Sequence, residues 1–334
     1  MNPTTAPITG LQMRLIIAIL FLGLNLPASA IGQTDTVVTQ RKSDAPPVTR
    51  KGTITQWIGD SLTINSKGVE REIDNDTIIK FETVWGDNYN QGVQELESGN
   101  PSFAIVQFEE ALSNETRPWA KLIIRTQLIE AYQSIEKYAD AIRHFETILR
   151  EDPQTRFLPL APICWTGTGT VIANTMSRLG NSRDSFLQLI GASWMLSSPQ
   201  RNTGIQILQT LSGDIDPRIK NIAIVQLWRT RLNVTDKQIK PWEKTILGLP
   251  REFRAGPYLV LAEAQSRVAQ PQAAIANLMR IPILFPEQKS LVAAALYRVG
   301  NLLDNQGKSE LAQSIFNELI TLYPQTVWAK QINQ

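Results

Sequence analysis

Nucleophilic and metal chemistry in this chain is limited first by scarcity. Its 334 residues hold one histidine, His144, and one cysteine, Cys164. A cysteine nucleophile needs a base within hydrogen-bond reach. The only imidazole, His144, falls on a separate helical stretch, 142–150. A zinc site of the His/Cys type, an intramolecular disulfide and any triad needing another histidine base are excluded. Cys164 therefore reads as a buried, inert thiol and His144 as a helix-surface or packing residue. The stretch Cys164-Trp165-Thr166-Gly167-Thr168-Gly169-Thr170 sets glycine and threonine ahead of a helix, where free amides could bind an anion. It holds neither a Walker pattern nor a full dinucleotide fingerprint, because Ile172 stands where the last glycine belongs. Loop and N-cap chemistry accounts for it. Glu109 and Glu110 are adjacent on a helix and diverge, while Glu70 and Glu72 alternate outward on a strand, so both pairs read as solvated faces. The sequence predicts no enzyme, no cofactor and no metal.

Composition supports a folded, non-catalytic chain. It is 43% hydrophobic and 19% charged, which excludes wholesale disorder. With 33 basic and 31 acidic side chains the net charge is +2, so there is no basic field for nucleic acid. The first thirty residues read as a secretory signal: the lone charge Arg14, the apolar run 15–26, then Ala28-Ser29-Ala30 as a cleavage site. That run covers ~18 Å as a helix, short of the ~30 Å hydrocarbon core; an uncleaved anchor is the alternative. No later apolar run is long enough to span, so the expectation is a periplasmic or secreted protein with no membrane span after signal cleavage.

Residues 31–51 carry Thr, Gln, Asp, Ser and Pro46-Pro47 and read as a flexible linker. A small antiparallel β-module is expected over 52–85. Thr53–Ile58 alternates, Gly59-Asp60 turns, Leu62 and Ile64 mark a second strand, and Gly68 ends a second turn. Val69 and Ile73 mark a third strand, and Ile79, Phe81, Thr83 and Trp85 share one face of a fourth. Its charge, three basic against six acidic residues, disfavours RNA. Such a module is either a capping layer on the helices or a binding module for an envelope polymer.

The rest is helical and repeats itself. Gly92, Gly99, Ala104 and Phe108 recur as Gly300, Gly307, Ala312 and Phe316 at the same spacings, followed by Pro324. Ala141, Phe145 and Pro153 form a second copy, with Glu136 at the loop glycine. Ala262, Ala274, Leu278 and Pro286 form a third, with Ala269 there. At these positions the chain resembles the tetratricopeptide repeat over 86–156 and 251–334. Between them, 157–250 is divergent helix: Ala173, Gly180 and Ala192 suggest a degraded copy, Asp216-Pro217 opens a helix, and Trp328 suggests a cap near the end. The resemblance implies a mainly α fold, a TPR-like α-solenoid preceded by the β-module. It further implies a partner-binding groove lined by first helices, which places Tyr89, Val93, Glu130, Glu263, Arg267, Tyr297 and Asn301 there. Only Asn301 matches the family's carboxylate clamp, so C-terminal carboxylate recognition is not expected. The reading is an exported scaffold for a protein or peptide partner in the cell envelope. The alternative is a cell-wall-associated protein whose β-module holds a polymer.

Overall fold

The computed structural model describes residues 34–41, 45–167, 169, 171–231 and 233–332. The expected signal segment, 1–30, lies outside them. The fold is mainly α: a TPR-like solenoid with a five-stranded antiparallel sheet at its N-terminal end. Among the described residues, no helix is long and apolar enough to cross a membrane.

The strands are β1 (Asp35–Thr39), β2 (Val48–Ile58), β3 (Ser61–Ser66), β4 (Val69–Asp74) and β5 (Ile78–Glu82), in the order β4-β3-β2-β1-β5. The linker expected over 31–51 is corrected: it supplies β1 and the start of β2. Polar composition hid β1, because the side buried by this strand is itself polar at both ends. Val37 is buried between Asp35 and Thr39. Asp35 is satisfied internally, its Oδ2 accepting the Ile54 amide at 2.6 Å and its Oδ1 the Thr83 hydroxyl at 2.5 Å. β5 closes on β1 rather than on β4, so the module is no simple meander. A bulge at Val38/Thr39 shifts the β5 face: Ile78 is buried and Ile79, expected inward, is 47% exposed. The β3–β4 turn needs positive φ at two residues, and Lys67 (53°) and Gly68 (83°) supply it.

The helices are α1 (Asp87–Glu97), α2 (Pro101–Asn114), α3 (Pro118–Ser134), α4 (Tyr138–Glu151), α5 (Ala173–Gly180), α6 (Ser185–Met195), α7 (Arg201–Leu211), α8 (Pro217–Trp228), α9 (Asp236–Leu247), α10 (Ala255–Arg267), α11 (Pro271–Leu284), α12 (Lys289–Asp304), α13 (Ser309–Leu322) and α14 (Val327–Ile332). Proline opens α2, α3, α8 and α11, where a missing amide costs nothing.

The repeat has a physical basis in each hairpin. A Cβ on Gly92 would lie 2.7 Å from the Phe108 ring, and one on Gly300 would lie 2.2 Å from the Phe316 ring. Ala104, Ala141, Ala274 and Ala312 are buried at the matching crossings. All four hairpins leave the first helix through one left-handed residue: Gly99 (φ 78°), Glu136 (60°), Ala269 (57°) and Gly307 (70°). The next amide then bonds back five residues, as in Asn100 to Glu95 (2.8 Å), Lys137 to Tyr132 (2.9 Å), Gln270 to Gln265 (2.9 Å) and Lys308 to Leu303 (3.0 Å). This is the Schellman geometry. The two copies that lack the loop glycine keep its conformation, at the steric cost a Cβ brings there.

In the divergent middle, the α5–α6 hairpin closes on Gly180 and Gly191 rather than on Ala173, which is exposed; a Cβ on Gly191 would lie 2.7 Å from Leu179. Asp216 caps α8 as expected, accepting the Arg218 amide at 2.8 Å. Trp328 on α14 is buried against Tyr297, ring centroids 5.2 Å apart.

The β-module is welded to the helices. Trp119 of α3 donates its indole N–H to the Ile54 carbonyl at 2.9 Å. Phe81 meets Trp57 edge-on at 4.7 Å and Trp119 at 6.5 Å, while Trp85 stacks on Tyr89 at 3.9 Å. Arg117 lies over Trp85 and Trp119 and donates to Thr83 at 2.7 Å. At the far end the buried Asp152 accepts the Gly59 amide at 3.0 Å. The module therefore docks on the first two hairpins together.

The left-handed turns yield a stability test. Ala269→Gly relieves about 1–2 kcal/mol of steric cost and loses roughly 0.4–1 kcal/mol to the freer unfolded chain. A net gain between about 0 and 1.6 kcal/mol follows in urea melts. Gly307→Ala, where a Cβ would meet nothing within 4 Å, loses stability through φ alone. A loss in Ala269→Gly, or no loss in Gly307→Ala, would remove the shared turn from the explanation.

Candidate functional site

The solenoid's inner helices do not line an open groove. Contacts pass from α6 to α8, α8 to α10 and α10 to α12, then from α12 back to α3. The remaining gap is filled by the segment after α4. Its Pro162 carbonyl accepts the Trp194 indole at 2.8 Å, and its Cys164 amide donates to Ser193 Oγ at 3.0 Å. The Cys164 carbonyl accepts from Arg229 Nη1 at 2.7 Å and from Gln226 at 3.1 Å. Trp165 packs on α10 where only a glycine allows it, since a Cβ on Gly256 would lie 2.2 Å from its ring. Pro324, beyond α13, lies near the first hairpin, where a Cβ on Gly99 would come within 3.7 Å of its ring.

This closure redistributes the expected groove residues. Tyr89 and Val93 are buried in the core and do not line a groove. Tyr89 stacks on Trp85, and burial pushes its hydroxyl pKa up. Glu130 on α3 faces Lys289 on α12, 3.2 Å from carboxylate to ammonium. Glu263 and Arg267 pair along α10, and Arg267 also reaches the Arg231 carbonyl at 3.5 Å. Tyr297 is half-buried between Phe316 and Trp328, and Asn301 is half-buried one turn on. The structure thus brings Glu130 to α12 and leaves Glu263 with Arg267. Sequence reasoning missed Lys289, Arg229 and Trp165, whose roles depend on partners distant in the chain. Arg298, beside Tyr297, was also missed; its guanidinium lies 5.2 Å from the Trp328 ring.

Between α3 and α12 lies a cavity of about 70 Å³ whose walls include Glu130, Tyr138, Trp165, Trp194, Lys289 and Trp328. Burial pushes the Glu130 carboxyl above the usual carboxylate range; Lys289 opposes this, and Glu287 and Glu97 reinforce it.

The lone histidine and cysteine do not meet. Both ring nitrogens of His144 are engaged, Nδ1 with Arg125 and Nε2 with Glu109, each at 3.2 Å. Arg125 can only donate, so Nδ1 accepts and Nε2 carries the proton. Glu109 also accepts the Tyr132 hydroxyl at 3.0 Å, while its side chain stays 40% exposed. The thiol of Cys164 is buried beside Arg229 Nη2 at 3.6 Å. In the Gly-Thr stretch the glycines serve packing: a Cβ on Gly169 would lie 2.3 Å from the Tyr138 ring. Among the described residues no cluster of His, Cys, Asp and Glu could hold a metal.

Burial, with Arg125 and Arg143, holds the His144 pKa below its ordinary 6.5, against the pull of Glu109. The unfolded chain then takes up this proton first, so stability is lost as pH falls through about 6.5. Urea melts from pH 7.5 to 5.5 should show that loss in the native chain and a smaller one in His144→Gln, whose amide can still donate to Glu109. Parallel slopes in the two proteins would contradict it.

The tetratricopeptide-repeat family model matches residues 294–326, which take in most of α12 and all of α13. No curated protein matches the chain. The matched stretch contains the hairpin whose Gly300–Phe316 contact and Gly307 turn recur at the N-terminal end, and the chain as a whole is a mainly helical, TPR-like solenoid.

Proposed function

We propose that this chain is an exported, non-enzymatic scaffold that binds a protein or an extended peptide of the cell envelope on its TPR-like solenoid. The observation that carries the reading is the repeated hairpin, seen in four copies with one turn geometry and matched by the tetratricopeptide-repeat model over the last of them. Stacked hairpins of this kind present a continuous, rigid surface suited to protein partners. Export rests on Arg14, the apolar run 15–26 and Ala28-Ser29-Ala30.

The placement of the aromatic side chains of the β-module favours the scaffold over the polymer-binding alternative. Trp57 is 1% exposed and Phe81 packs on it and on Trp119, so neither offers a face on which a polymer could stack. The module works as a cap on the first hairpins.

Crosslinking of the native protein in the envelope fraction, followed by identification of what is captured, tests the scaffold reading. A defined protein partner, retained when residues 34–85 are exchanged for another capping layer, is the expected result. Recovery of a polymer alone would overturn the reading. N-terminal sequencing of the exported chain should begin near Ile31; an intact Met1 or Met13 in the cytosolic fraction would contradict export.

A further inference from the structure

The cavity between α3 and α12 has an arrangement that the bare scaffold does not require. Glu130, its side chain 26% exposed, pairs with the Lys289 ammonium in the cavity wall, and a second carboxylate, Glu287, stands at the exposed rim. The lining includes four aromatic residues, Trp165, Trp194, Trp328 and Tyr138, among aliphatic and polar ones. A carboxylate beside aromatic side chains favours an organic cation, through its charge and through the ring quadrupoles. Lys289 is a poor permanent occupant. It is the first residue of α12, and the helix dipole disfavours a cation at that end. Its side chain remains 30% exposed, on a stem flexible enough to turn outward. The cavity lies where α12 meets α3, two helices far apart in the chain.

We propose that this cavity receives a single cationic side chain, lysine or arginine, from an extended segment of the partner, which takes the Glu130 carboxylate over from Lys289. The proposal rests on the scaffold reading and assigns it a recognition element. The site selects a basic anchor residue, and Lys289 holds the ring closed until that anchor arrives. No bond is made or broken; one ammonium or guanidinium replaces another.

The test uses the full chain and three ten-residue peptides of Gly, Ser and Ala carrying a central Lys, Gln or norleucine, with tryptophan fluorescence and calorimetry as readouts. The Lys peptide should bind about tenfold or more tighter than the other two. Lys289→Met, which removes the internal competitor, should tighten the Lys peptide at least about threefold and leave the norleucine peptide unchanged. Glu130→Gln should erase the preference for Lys. If that variant does not fold, the Lys289→Met comparison decides alone. Equal binding of the three peptides, no binding of any, or weaker Lys-peptide binding in Lys289→Met would overturn the proposal. A partner still captured by crosslinking in that case would leave the scaffold reading standing, whereas the scaffold fails if crosslinking recovers none.

Discussion

The structure depends on how closely two helices of a hairpin can approach. Where glycine meets a ring, as at Gly92 with Phe108 and Gly300 with Phe316, the helix axes come near enough for the aromatic side chain to fill the gap. Buried alanines at Ala104, Ala141, Ala274 and Ala312 keep that separation along the second helices. The left-handed residue between helices fixes the angle at which the chain returns. Repeating these three local conditions sets a nearly constant rotation per hairpin, and a constant rotation makes a superhelix.

That superhelix then closes on itself, which changes what its inner face can do. An open solenoid would expose a groove along its first helices. Here the segment after α4, led by Trp165, fills the centre, and α12 returns to α3 through Lys289 and Glu130. Two hydrophobic clusters, one from the β-module to α8 and one from α8 to the end, are both in contact with Trp165. The sheet extends the first cluster rather than standing apart, because Trp119 and Arg117 bind it through both rings and hydrogen bonds.

The hairpins were legible in the sequence because their determinants are local: small residues, an aromatic and a proline at fixed spacing. The turns at Glu136 and Ala269 were harder, since neither residue prefers positive φ, and only the surrounding hairpin imposes it. β1 was illegible for a different reason. Its ends are polar, and the bonds that make Asp35 acceptable in a core come from Ile54 and Thr83. The groove residues were read one helix at a time. Tyr89 and Val93 are buried in the core, Tyr89 between Trp85 and Phe108, and Glu130 acquired its partner only through ring closure. Glu109 likewise takes its role from Tyr132 and His144, on two other helices.

Ring closure is the central claim, and the Glu130–Lys289 contact reports on it directly. A carboxylate and an amine in van der Waals reach can be joined by a zero-length carbodiimide reagent, whereas distant pairs cannot. Treatment of the dilute monomer followed by peptide mass spectrometry should yield an α3–α12 link between Glu130 and Lys289, alongside the local Asp236–Lys240 pair within α9 as an internal control. Recovery of the α9 link without the α3–α12 link would mean that the superhelix is open and its inner face free.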